Sequence, residues 1–195
     1  MYPIVVNVLF PMGVLYVTIL GCKIIIIMNI IVLGIGQSLR GDDAAGLEAV
    51  RLWQQQYPQT KQKVHVEFSE LPGLALLDFL EDMQVAVLVD AVHAPDLAPG
   101  SLLHLGPEDL AAFDAGAQSA HGWGVAETLA LGYSLHPELK ECRITLIGIA
   151  SSQFRLGTSL SRAVQDALVE AAASIEKEVQ GWLGGLAGKT NPSLD

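Results

Sequence analysis

Two adjacent carboxylates, Asp42 and Asp43, follow the Gly34-x-Gly36 turn of IIVLGIGQSLRGDDAAGLEAV (Ile30–Val50). A third, Asp90, ends the apolar run VAVLVD, and His121 stands just before Gly122-Trp123-Gly124. With both apolar runs as parallel strands, Asp43 and Asp90 lie on the carboxyl edge of one sheet, where open α/β sheets bind their ligands. A helix starting at Gly122 can bring the His121 imidazole over the same edge. Two carboxylates and one imidazole from three segments, with open positions left over, suit a divalent first-row metal. Nickel, zinc and cadmium all satisfy that donor set. A metal held so can polarise a carbonyl or lower the pKa of a bound water. A phosphate site would instead offer glycines and a lysine at the helix start. The third glycine and the lysine are missing, so a nucleotide-binding module is the weaker reading of Gly34-x-Gly36.

Each of these residues also has a structural role open to it. An acid at a helix start is an N-cap or first-turn residue worth ~0.5–2 kcal/mol, and Asp42 is expected to fill that role. Asp90 can organise its loop by accepting backbone N–H bonds, and a histidine beside glycines is commonly a loop residue. Glu70 and His93 follow strand-like segments and can face the same edge as second partners or as surface groups. His65 reads as packing or surface, while His104 and His136 belong to no constellation. Cys142 precedes a core strand without a His/Asn context for nucleophilic work. Ser151-Ser152 lacks a G-x-S-x-G elbow, which argues against a serine hydrolase.

Alternating elements must position these groups. The pattern predicts strands over Asn29–Ile35, Val64–Phe68, Val85–Asp90, Leu102–Leu105 and Arg143–Ile149. Helices are predicted over Asp43–Gln56, Gly73–Glu81, from Pro107 onward, over Gly122–Tyr133 and over Ser159–Leu183. VAVLVD is apolar at nearly every position, as in a strand buried on both faces of a parallel sheet. The expected class is α/β: a three-layer sandwich whose mostly parallel twisted sheet has helices on both faces.

The chain has 195 residues and a formal charge of −10, which excludes a nucleic-acid footprint. Its two cysteines, Cys22 and Cys142, make no disulfide scaffold and permit a reducing cytoplasm. Residues 1–27 are almost wholly apolar, with Lys23 as the single charge. Met28-Asn-Ile-Ile-Val-Leu-Gly reads as a start that runs straight into the first core strand, the upstream segment being a gene-start artefact. A membrane anchor is the alternative, since a bilayer span takes about 20 apolar residues. The expected division is therefore 1–27 as an apolar extension, 28–183 as the α/β domain, and 184–195 as a flexible tail.

From Met28 to about Leu183 the chain resembles the nickel–iron hydrogenase maturation endopeptidases. LGIGQSLRGDDAAGLEAV is similar to that family's opening G-[IV]-G-N-x-L-x-x-D-[ED]-G-x-G. VDAV at Val89–Val92, Pro99-Gly100 before LLHL, Ser119-Ala120-His121 before GVAETLAL, and IGI…LGTSLSRAV extend the likeness. The resemblance implies an endopeptidase that removes the C-terminal extension of a nickel-loaded hydrogenase large-subunit precursor. It places the metal-contacting positions on Asp43, Asp90 and His121, with Asp43 and Asp90 as the catalytic candidates. The nickel is then supplied by the substrate, no permanent cofactor is expected, and the cytoplasm is the expected location. A non-catalytic nickel-sensing or chaperone-like protein would carry the same ligands. Gln37 stands where the family usually has Asn, Asp43 where Glu is common, and Ala44 where Gly is frequent. Phe68–Gly73 and Ser151-Ser152-Gln153 also depart from the common loops, which fits a divergent subfamily.

Overall fold

The computed structural model describes residues 4–10, 13–19, 29–70, 73–106, 109 and 125–187. Strands β1 (Ile4–Phe10) and β2 (Gly13–Ile19) pair antiparallel as a separate two-stranded sheet. No helix among the described residues is long and apolar enough to cross a membrane.

The domain proper is built on β3 (Ile30–Ile35), β4 (His65–Ser69), β5 (Val85–His93), β6 (Leu102–Leu105) and β7 (Arg143–Ser151). Their order across the sheet is β4-β3-β5-β7-β6. β4, β3, β5 and β7 run parallel, and the edge strand β6 is antiparallel to β7. The expected mostly parallel sheet is thus present. Its helices are α1 (Ala45–Gln56), the short α2 (Pro58–Lys61), α3 (Ala75–Leu80), α4 (Val125–Leu135) and α5 (Arg162–Ala187).

Strand alternation sorts the core into two layers. Val32, Val87, Val89, Ile147 and Ile149 pack with Ala45, Ala49 and Trp53 of α1 and with Ala172, Ile175 and Val179 of α5. Ile31, Leu33, Leu88, Ile144 and Leu146 face Leu76 and Leu80 of α3 and Val125 and Leu129 of α4. Val85 to Val89 are all fully buried, which is why this run shows no polar alternation. Glu176 of α5 ties its layer together. It accepts from Trp53 Nε1 at 2.9 Å and from Thr60 Oγ1 at 2.8 Å.

Several boundaries differ from expectation for identifiable reasons. β5 continues past Asp90 to His93 because Ala91–His93 keep pairing with Ile149–Ser151 after β3 has left the sheet. Asp43 does not open α1; it lies in a 3-10 turn, Gly41–Ala44, ahead of it. α5 begins at Arg162 rather than Ser159: Ser161 stands ahead of its first turn, its Oγ accepting the Val164 N–H at 3.5 Å while its own N–H is held by the Asp42 carboxylate at 2.6 Å. The same helix runs on to Ala187, across the glycines where the tail was expected to begin. The helix expected from Pro107 and the first turn expected at Gly122 lie outside the described residues, as does Cys22.

Candidate active site

β3 leads to β4 on one side, and the chain then crosses back to place β5 on the other side of β3. The crevice between the carboxyl ends of β3 and β5 is therefore the switch point of this sheet, the place where such folds hold ligands. Two glycines let the chain close over it. Gly36, at φ 143°, leaves room for the Asp43 carbonyl; a Cβ there would lie 1.8 Å from that oxygen. At Gly46 a Cβ would come within 2.2 Å of the Val89 carbonyl oxygen and 2.4 Å of that of Ile35. The start of α1 is thus pressed against the ends of both strands. The turn carrying Asp43 lies one helical turn before Gly46, and Asp90 directly follows Val89. The space over Gly36 is filled by the chain's own backbone, so the glycines serve packing rather than a phosphate.

Asp43 is fully buried and Asp90 is 6 % exposed. One oxygen of Asp90, Oδ1, accepts the N–H of Ala91 at 2.8 Å. Asp90 also occupies the first position of β5 beyond its last pairing with β3, Gly34 with Val89. By alternation it falls on the face of Ala86 and Leu88, the layer covered by α3 and α4. Taking a carboxylate out of water is costly unless it is bonded or neutralised. Two acids drawn inside at a sheet's switch point are where cation binding or proton transfer is expected. His121, the third member of the sequence-read set, lies outside the described residues. Among the described residues no three His, Cys, Asp or Glu side chains group as a metal site.

The neighbouring acid has a different role. Asp42, also fully buried, receives N–H bonds from Gln153 at 3.1 Å, Ser152 at 3.4 Å and Ser161 at 2.6 Å. Its structural role was expected, but not in this form. Asp42 makes no cap hydrogen bond and instead clamps the loop between β7 and α5 onto the 3-10 turn. Nothing local in the sequence announces a bond spanning more than a hundred residues.

The remaining candidates are placed as follows. Glu70 accepts from the Ser38 hydroxyl on the exposed rim. His93 is exposed and meets the Phe154 ring edge-on at 6.1 Å. His65 and His104 are exposed on the two edge strands. The Ser151 hydroxyl is buried and donates to the Ile149 carbonyl at 2.9 Å. His136 pairs with Glu138 at 3.2 Å. It lines a cavity of about 360 Å³ with Leu77, Met83, Leu139 and Cys142. That cavity opens at the amino ends of β5 and β7, away from the acids. Burial pushes the Cys142 thiol up to about 12, so it is inert as a nucleophile.

Comparison with known proteins agrees with this architecture. The hydrogenase maturation protease family profile matches residues 55–178. The hydrogenase expression/formation protein HupD of Rhodobacter capsulatus is 30% identical over 160 residues, 79% of this chain and 72% of that protein. The hydrogenase 2 maturation protease of Escherichia coli K12 is 28% identical over 146 residues, 74% of this chain and 86% of that one. Among solved structures, the NiFe hydrogenase maturation protease HybD from Thermococcus kodakarensis superposes with a TM-score of 0.65 at 28% identity, covering 78% of this chain and 99% of that one. A buried acidic pair at the switch point of this sheet is therefore found in a peptidase: the chain belongs to the hydrogenase maturation protease family.

Proposed function

We propose that this peptidase removes the C-terminal extension of a nickel-loaded hydrogenase large-subunit precursor. The observation that carries the reading is the burial of Asp43 and Asp90, from separate segments, at the switch point of a sheet whose family is one of hydrogenase maturation proteases. On this reading nickel arrives in the substrate, and Asp43, Asp90 and His121 read its presence. Carboxylate and imidazole are acceptable donors to nickel.

The chemistry is peptide hydrolysis. A water oxygen attacks the scissile carbonyl carbon, and Asp43 or Asp90 takes the water's proton and returns it to the departing amine. Atoms balance with one water consumed. Nickel held by the substrate orients the scissile segment between these acids, which makes cleavage conditional on metal loading.

The test is intact-mass analysis of a nickel-loaded large-subunit precursor mixed with the protein, with nickel-free precursor and Asp90→Asn enzyme as controls. Loss of a C-terminal peptide only with nickel and only with the intact acid is the expected result. Full activity of the Asp90→Asn enzyme, with its thermal unfolding unchanged, would overturn the assignment.

A further inference from the structure

Four of the six exposed large apolar side chains among the described residues sit on loops at the carboxyl edge: Leu39, Leu74, Leu97 and Leu156. Two of them form a pair. Leu39 and Leu156 are each 70 % exposed, on the loops that leave β3 and β7. Those loops are bonded to each other: Gly157 N–H donates to the Leu39 carbonyl at 2.8 Å, and Gly41 N–H to that of Thr158 at 3.1 Å. Arg40 and Thr158 form a parallel bridge between them. From beneath, the buried Asp42 carboxylate holds the second loop by its backbone N–H groups at Ser152, Gln153 and Ser161. The two leucines are therefore displayed on a fastened platform.

Each leucine has an arginine beside it in sequence, Leu39-Arg40 and Arg155-Leu156. Neither arginine makes an ion pair within the described residues. In a chain of net charge −10, two arginines without an ion pair among the described residues stand next to two exposed leucines, with the Glu70 carboxylate held by Ser38 at the margin of the pair. The matching partner carries aliphatic side chains and a carboxylate. The platform borders the acidic crevice directly, since Arg40 and Asp43 belong to the same turn: the Asp43 N–H donates to the Arg40 carbonyl.

We infer that Leu39, Arg40, Arg155 and Leu156 form the docking surface for the extension that is cut off, taking its aliphatic side chains on the leucines and its terminal carboxylate on the arginines. This rests on the proposed cleavage of a large-subunit precursor and assigns the part of that substrate that each loop reads. The leucines select by burial, and the arginines select for a chain end by charge.

The experiment has two arms. In the first, cleavage of the nickel-loaded precursor is followed with the parent chain and two double variants, Leu39→Ser with Leu156→Ser, and Arg40→Gln with Arg155→Gln. KM rises about tenfold or more in each, the scale of losing one well-buried aliphatic contact, while kcat stays within about twofold, as for uniform binding. In the second, fluorescence anisotropy follows binding of a fluorescein-labelled Leu-Val-Glu-Leu-Val peptide with a free C-terminal carboxylate. Its affinity falls in both variants. Amidating the peptide weakens binding to the parent but not to the arginine variant, and raised salt weakens the charge contribution.

Unchanged KM in both variants overturns the inference while leaving the cleavage reading intact. If the parent does not cut the precursor, the cleavage reading fails, and the peptide arm still decides the surface. Binding that ignores the leucine and arginine substitutions, or no binding up to about 1 mM, overturns it. Binding that follows both substitutions upholds it.

Discussion

Asp42 and Asp43 are neighbours in sequence and both fully buried, yet their surroundings assign them different work. Asp42 is saturated by three backbone N–H groups from the β7–α5 segment, so removing it takes a buried charged acceptor from three donors at once. Asp42→Ala is expected to cost about 3–5 kcal/mol, the scale of breaking a buried charged hydrogen-bond set. Urea unfolding checks this: the midpoint should fall with the slope unchanged. Asp90→Asn should leave that midpoint close to the parent's and remove cleavage. A reversed pattern, with a stable Asp42→Ala and an unfolded Asp90→Asn, would mean that the structural and chemical acids have been exchanged.

At the scale of elements, the site depends on how closely α1 approaches the strand ends. Gly46 is the contact that sets this distance, because a side chain there meets two backbone carbonyl oxygens, and backbone cannot move aside cheaply. Gly46→Ala is expected to cost about 3 kcal/mol by overpacking, lowering Tm by roughly 6–12 °C for a chain of this size. It should also reduce cleavage more than a variant of equal stability elsewhere in α1, because it displaces the turn that carries Asp43. Differential scanning calorimetry and the precursor assay, run on Gly46→Ala and on Trp53→Phe, make the comparison. Trp53 packs in the same layer but touches Glu176 rather than the strand ends.

At the scale of the whole molecule, the two ends of the sheet are chemically distinct. The carboxyl end holds the acidic crevice and its leucine–arginine platform. At the amino end is the cavity beside Cys142. Burial raises the Cys142 thiol from its ordinary 9.0 to about 12. Tyr133 is raised too, first by burial and then by the charge Cys142 would carry. The folded state thus keeps protons that the unfolded chain releases above pH 9.0, so stability is whole below that pH and declines as pH rises toward about 12. Chemical denaturation between pH 8 and 11 should show the decline, and Cys142→Ala should flatten part of it. At pH 8, iodoacetamide should alkylate Cys142 only after unfolding, which a Cys22→Ser background isolates.

Periodicity and glycine placement were enough to read the α/β order, the parallel strands and the family likeness, because burial on both faces leaves a continuous apolar run such as Val85–Val89. They also marked Asp43 and Asp90, since acids just beyond buried strands stand out against their apolar context. Sequence reasoning missed the distant partners through which Asp42 fills its structural role, the extension of β5 to His93, and the joining of Leu39-Arg40 to Arg155-Leu156. Each of these rests on contacts between residues far apart in the chain: Asp42 with Ser161, Val92 with Ala150, Leu39 with Gly157. Local pattern fixes which side chains prefer to be inside and which backbone can turn. Which distant N–H groups a buried carboxylate finds, and which leucines stay in water, is decided only when the sheet order brings those segments together.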